Sequence, residues 1–112
     1  MLKSKIHQAV VTEAELEYEG SLTIDKALMD KAGILPHEKI LVANLENGER
    51  FETYAISAPA GSGTICLNGA TAHKGKVGDR VIVFTFCLLP KEEAARHLPV
   101  VVKPGKGNSL PA

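Results

Sequence analysis

Tyr18-Glu19-Gly20-Ser21 places a hydroxyl directly after a glycine peptide. The serine side chain lies beside the carbonyl that precedes it, and glycine admits backbone conformations closed to other residues. If the fold strains the Gly20–Ser21 peptide, Oγ attacks its own backbone and an N-to-O acyl shift turns the amide into an ester. Elimination then frees Gly20 as a chain end and leaves dehydroalanine, which hydrolyses to a pyruvoyl group made from Ser21. Such a carbonyl condenses with a substrate amine, and the imine, conjugated to an amide, accepts electrons as carbon dioxide leaves. A Gly-Ser pair is equally an ordinary turn, and these four residues alone leave both readings open.

Other side chains fit chemistry on a small anion. Arg50 offers a planar donor fork suited to a carboxylate, although Glu49 and Glu52 beside it also suit a solvated hairpin arginine. Lys5 supplies a second cation, and His7, two residues on, shares its face if the segment is a strand. Tyr54 reads as a half-buried strand tyrosine, Thr53 as a strand threonine, and Asn68 as the start of an Asn-Gly turn. Cys66 and Cys87 sit in apolar runs and read as buried small hydrophobes. With His73 they lack the paired spacing of structural zinc, so no metal is expected, and His73 reads as structural.

The elements that must position these residues are mostly strands. Short apolar runs punctuated by Gly, Asn and Asp predict a mainly β barrel or sandwich with one or two short helices. Strands are expected over residues 5–11 and 21–24, with 13–20 acidic and without clear periodicity. Asp25 predicts an N-cap for a helix over 26–32, Leu28 and Met29 inward and Gly33 closing it; Pro36 forbids continuation. Runs at 39–45 and 50–57 flank Asn47-Gly48, which predicts a hairpin with a tight turn. Strands follow at 64–67, before Asn68-Gly69, and at 80–88, the latter so apolar that both faces are expected to be covered. A short helix is predicted over 90–97. Residues 103–112, rich in Pro and Gly, are expected to form a flexible tail, leaving one domain over 1–102.

A chain of 112 residues with 45% hydrophobic and 23% charged residues makes one domain with a modest core. Its 13 basic and 13 acidic residues cancel, so no net field recruits nucleic acid or an anionic membrane. The first eleven residues lack the apolar core of a signal peptide or membrane span, which leads to an expected cytoplasmic location.

Several blocks then stand in a specific order: Lys5-Ile6-His7, Tyr18-Glu19-Gly20-Ser21, Thr23-Ile24-Asp25, Ala32-Gly33-Ile34, Asn47-Gly48-Glu49-Arg50-Phe51, Thr53-Tyr54-Ala55-Ile56, Asn68-Gly69-Ala70, Ala72-His73 and Val77-Gly78-Asp79. In order and spacing they resemble the aspartate 1-decarboxylase family over about residues 3–95. Gln8 departs from that pattern, which has a basic residue there, and the tail carries no family motif.

The resemblance implies a double-psi β-barrel, assembled as a homotetramer with sites at subunit contacts. It implies cleavage between Gly20 and Ser21 into chains 1–20 and 21–112, and a covalent pyruvoyl cofactor at Ser21. The activity it implies is decarboxylation of L-aspartate to β-alanine for pantothenate biosynthesis. By the same resemblance Ser21 carries the Schiff base, Tyr54 donates the proton, and Thr53 and Asn68 assist cleavage by stabilising the oxyanion at the Gly20 carbonyl. Arg50, Lys5, His7, Tyr18, Gly69 and Ala70 then border substrate. Whether a maturation factor takes part is left open, as are two other readings. One is a non-catalytic barrel used for binding or assembly; the other is a pyruvoyl decarboxylase for another amino acid. Two cations favour an acidic substrate over a basic one.

Overall fold

The computed structural model describes residues 1–111. Its strands are β1 (Leu2–Val10), β2 (Glu13–Glu15), β3 (Ser21–Asp25), β4 (Lys39–Asn44), β5 (Arg50–Ala58), β6 (Ile65–Asn68), β7 (Arg80–Phe86) and β8 (Val100–Val102). Helices α1 (Lys26–Ala32) and α2 (Lys91–Ala94) and 3-10 turns at Gly69–Lys74 and Lys106–Asn108 complete the chain. All eight strands form one sheet in the order β2-β6-β3-β5-β4-β7-β1-β8.

That order forces closure. β2 is at one edge and β1 is next to the other, yet only Val11 and Thr12 separate them in sequence. Laid flat, six strand spacings would span roughly 29 Å, whereas two residues reach about 7 Å. The sheet therefore curls on itself, with Val11 N–H bonded to Asp79 O and Thr12 N–H to Ile65 O across the seam. Twice, two consecutive strands straddle an earlier one: β5 and β6 flank β3, and β7 and β8 flank β1. Each straddled strand is parallel to one neighbour and antiparallel to the other. This is the double-psi barrel, and Ile6, Leu22, Ile24, Ile40, Val42, Ile65, Leu67, Val81 and Val83 fill its interior.

Helix α1 forms as its sequence dictates. The Asp25 carboxylate accepts from Ala27 N–H at 2.8 Å, Gly33 closes the helix at φ 70°, and Leu28 and Met29 are buried. Asp25 also accepts from Gly61 N–H at 3.0 Å and Gly63 N–H at 2.8 Å, tying the β5–β6 connection to the helix start. Burial pushes this carboxyl up, but the Gly63, Ala27 and Gly61 amides outweigh that and hold it below the usual carboxylate range.

Several expectations are corrected. The β4–β5 hairpin forms, but Asn44 N–H bonds to Glu49 O, so four residues make the loop and only Gly48 takes a positive φ. Asn47 instead donates its side chain to Lys74 O at 2.9 Å. Glu13–Glu15 is a strand after all, because it pairs in parallel with β6. β7 is covered on one face only: Val81, Val83 and Thr85 are buried, Ile82 and Phe84 half-buried, and Phe86 exposed. Cys66 is buried but Cys87 is half-buried. Within the expected tail, Asn108 is buried, and its amide accepts from Val10 N–H and donates to Val10 O and Gly63 O. A polar side chain thereby substitutes for a strand partner, which composition does not announce. Ala112, the last residue of that expected tail, lies outside the described residues.

Replacing Asp25 by Asn leaves an acceptor but removes the charge that the three amides favour. Stability above pH 3.8 should fall by about 1–3 kcal/mol in chemical unfolding. Because the folded carboxyl lies below its ordinary value, that difference is full above pH 3.8 and is lost as pH falls from there through the folded value. A difference constant across that range would contradict this role.

Candidate active site

Ser21 opens β3 and is fully buried, directly after an exposed run that ends at Gly20. The antiparallel register pairs Ser21 with Asn68 and Thr23 with Cys66. Alternation then sets these four side chains on one face, in a two-by-two patch. Asn68 Nδ2 donates to Ser21 Oγ at 3.1 Å and to Thr23 Oγ1 at 2.7 Å. Ser21 Oγ donates to Glu19 O at 3.1 Å. Thr71 Oγ1 donates to Asn68 O at 2.7 Å and stands 3.4 Å from Ser21 O.

Beside Ser21 the tight backbone approach is at Gly69, not at Gly20. Gly69 has φ 65°, and a Cβ there would lie 2.7 Å from Gly20 Cα and from Tyr18 O. Gly20 has no such constraint: a Cβ would meet nothing within 4 Å, and its φ is not among the positive ones. The expected need for glycine's freedom therefore falls one strand away, on the residue that lets the 3-10 turn press against the Tyr18–Gly20 backbone.

A cavity of about 350 Å³ opens beside this patch, lined by Tyr18, Glu19, Ser21, Pro36, His37, Tyr54, Ile56 and Ser57. Ser21 and Tyr54 thus share one cavity, brought together by the parallel pairing of β3 and β5. His37 enters from the α1–β4 loop at φ 73°, its N–H bonded to Ala55 O and its ring 6.1 Å from that of Tyr54. Lys3 holds this loop by bonding Gly33 O at 2.9 Å and Glu38 at 2.6 Å.

The remaining expected site residues divide. Asn68 meets the Ser21 hydroxyl rather than the Gly20 carbonyl. Thr53 is half-buried opposite Ile40 and makes no hydrogen bond to Ser21 among the described residues. Ala70 is exposed and does not line the cavity. Lys5 and Arg50 form a second group on the barrel: Lys5 Nζ lies 6.0 Å and Arg50 Cζ 5.4 Å from the Phe84 ring centre, and His7 stands two residues beyond Lys5 on β1. Glu49 pairs with Lys74 and Glu52 with Lys39, so the two carboxylates that would have made Arg50 an ordinary hairpin charge are engaged elsewhere. His7 Nδ1 is the one buried side-chain polar atom without a partner among the described residues. Gln8, at φ 67°, is the extra residue of a bulge in β1 directly after His7, which shares a face with Lys5 by strand alternation.

Thr23, His37 and Thr71 escaped sequence reading. Thr23 carried a usable signal, since it alternates with Ser21. His37 reaches the site through its bond to β5, which no local pattern reveals, whereas Thr71 bonds Asn68 O only three residues back.

Fold and site together define a small closed β-barrel that holds a serine hydroxyl between an asparagine amide and an acidic loop. Among families of known proteins, aspartate decarboxylase matches residues 1–111. The chain is 56% identical over 110 residues to aspartate 1-decarboxylase of Clostridium acetobutylicum, covering 98% of this chain and 87% of that protein. It is 61% identical over 102 residues to the enzyme so named from Syntrophobacter fumaroxidans, covering 91% and 82%. With that of Hyphomonas neptunium the figures are 52% over 110 residues, 98% and 93%. The chain belongs to the aspartate decarboxylase family. Among the described residues no helix is long and apolar enough to cross a membrane.

Gly69→Ala, made in a chain also carrying Ser21→Ala to hold the backbone in one state, should cost more than about 2 kcal/mol. Gly20→Ala in the same background should stay within about 0.5 kcal/mol. Urea unfolding midpoints measure both, and equal effects would contradict the close approach.

Proposed function

We propose that this chain cuts itself between Gly20 and Ser21 and then converts L-aspartate to β-alanine and carbon dioxide. The observation that carries the reading is the buried Ser21 hydroxyl, held by Asn68 and opening on the cavity that Tyr54 lines. Ser21 Oγ attacks the Gly20 carbonyl carbon; a C–O bond forms, the C–N bond breaks, and the Ser21 nitrogen takes up a proton as a free amine. Loss of the Ser21 Cα proton then expels the Gly20 carboxylate from Cβ. Water replaces the nitrogen of the resulting dehydroalanine, releasing ammonia and leaving a pyruvoyl group at position 21.

Asn68 suits the first step because its N–H stabilises charge growing on Oγ as the hydroxyl loses its proton. Thr53 suits it too: carrying the β3–β5 register back two residues sets Gly20 level with Thr53. Position 21 fits the group, since it is buried from bulk water yet borders a cavity of substrate size. The pyruvoyl ketone supplies a sink for the electrons left when an amine-bearing substrate loses carbon dioxide.

Tyr54 is the proton donor of this reading, its phenol on the same cavity as position 21. Tyr18 and the Gly69 backbone border substrate. Arg50 and Lys5 hold its carboxylates, with His7 beside them. These cations stand around Phe84 and outside the Ser21 cavity, so a second copy of the chain brings them to it, within a homotetramer. In this reading its work is to supply β-alanine for pantothenate within the cytoplasm.

Incubation with L-aspartate should yield equimolar β-alanine and carbon dioxide. Ser21→Ala should abolish the reaction, and Arg50→Lys, which keeps charge but loses the fork, should lower kcat/KM by about 100-fold. Turnover by Ser21→Ala, or no turnover by fully cut wild-type protein, would contradict the reading.

A further inference from the structure

We infer that Cys66 is a positioning residue for self-cleavage, its thiol proton setting which end of the Asn68 side-chain amide faces Ser21. This rests on the proposed cut between Gly20 and Ser21 and adds a residue that speeds it.

The two ends of an asparagine amide have nearly the same shape, so packing alone does not choose between them. On one side Asn68 meets Ser21 Oγ and Thr23 Oγ1. Both are hydroxyls, and each can rotate to donate to an oxygen or accept from an N–H. They satisfy either end of the amide and select neither. On the other side stands Cys66, whose Sγ donates to Asn68 Oδ1 at 3.2 Å. Sulfur is a poor acceptor, so an N–H turned toward it would gain little. The thiol is therefore the neighbour whose preference decides.

The choice matters for the nucleophile. In the arrangement present, Ser21 Oγ receives an N–H and its own proton points to Glu19 O. With the amide reversed, Ser21 would donate to Asn68 Oδ1 and lose the N–H that steadies charge growing on Oγ. Cys66 is only 4% exposed, and β2 lies alongside it with Glu13 in register. Burial pushes the thiol up, and the Glu13 and Glu15 carboxylates push it further, while the Glu15 backbone amide pulls the other way with less effect. The proton that Asn68 Oδ1 accepts is thus retained through neutral pH.

Two substitutions in the full chain separate hydrogen bonding from packing. Cys66→Ser keeps a donor at slightly smaller size; Cys66→Val fills the space with methyl groups and removes the donor. Intact mass during incubation reads the cutting rate, and thermal melting confirms folding. Cys66→Val should slow cutting about tenfold, while Cys66→Ser stays within about threefold of wild type. If Cys66→Val does not fold, Cys66→Ala takes its place. Wild-type cutting speed without a donor at position 66, or equal slowing by Ser and Val, overturns the inference.

A second readout does not depend on cutting. In chains carrying Ser21→Ala, proton NMR contacts of the Asn68 side-chain NH2 should run to Thr23 when Cys66 is present. They should shift toward the methyl groups introduced by Cys66→Val. Contacts that stay with Thr23 overturn the inference, whereas a wild-type chain that never cuts overturns the proposed function instead.

Discussion

The hydrogen bond from the Asn68 amide to Ser21 Oγ is the contact on which the site depends, and it exists only because β3 lies antiparallel to β6 in one particular register. A slip of one residue would turn Ser21 into the opposite face and put the barrel's apolar residues outside. Leu22 and Ile24 on one strand and Ile65 and Leu67 on the other guard against that, since all four are buried. Core packing thus sets the partner of the Ser21 hydroxyl.

β3 serves a second purpose because it is straddled. Its other neighbour, β5, runs parallel and delivers Tyr54 to the cavity that Ser21 borders. A strand at a sheet edge could not have both partners. The psi crossing therefore brings amide, hydroxyl and phenol together from three separate stretches of chain. Gly69 completes the arrangement, because without a Cβ the turn after β6 comes up against the Tyr18–Gly20 backbone. Asp25 and Asn108 stabilise the barrel away from the chemistry by satisfying backbone groups of connections that lack strand partners.

Much of this was legible in the sequence where local physics governs. Asp25 and Gly33 bounded α1 correctly because capping is a property of adjacent residues, and alternation marked the strands. The Asn47-Gly48 turn was misjudged in type because the Asn47 side chain is drawn to Lys74 O, a contact from elsewhere in the chain. The anchoring of Asn108 is illegible for the same reason, since it reads locally as a loop residue. At the site, ordered motifs pointed to Ser21 and Tyr54, which the fold brings to one cavity. Lys5 and Arg50 cluster around Phe84, a residue that no motif singled out. His37 acts across strands, which no local periodicity reveals, whereas Cys66 lies two residues before Asn68 on β6, where alternation alone sets the two side chains on one face.

The central claim is that Ser21 breaks the peptide before it and becomes a ketone. Intact-mass analysis of the purified protein after warm incubation, with and without a hydrazine that captures ketones, tests it most directly. The expected result is two pieces, one ending at Gly20 and one beginning at position 21 with a blocked start, the second alone gaining the mass of one hydrazone. An uncut chain in a preparation that makes β-alanine, or a second piece that begins with a free serine amine and ignores the reagent, would contradict it.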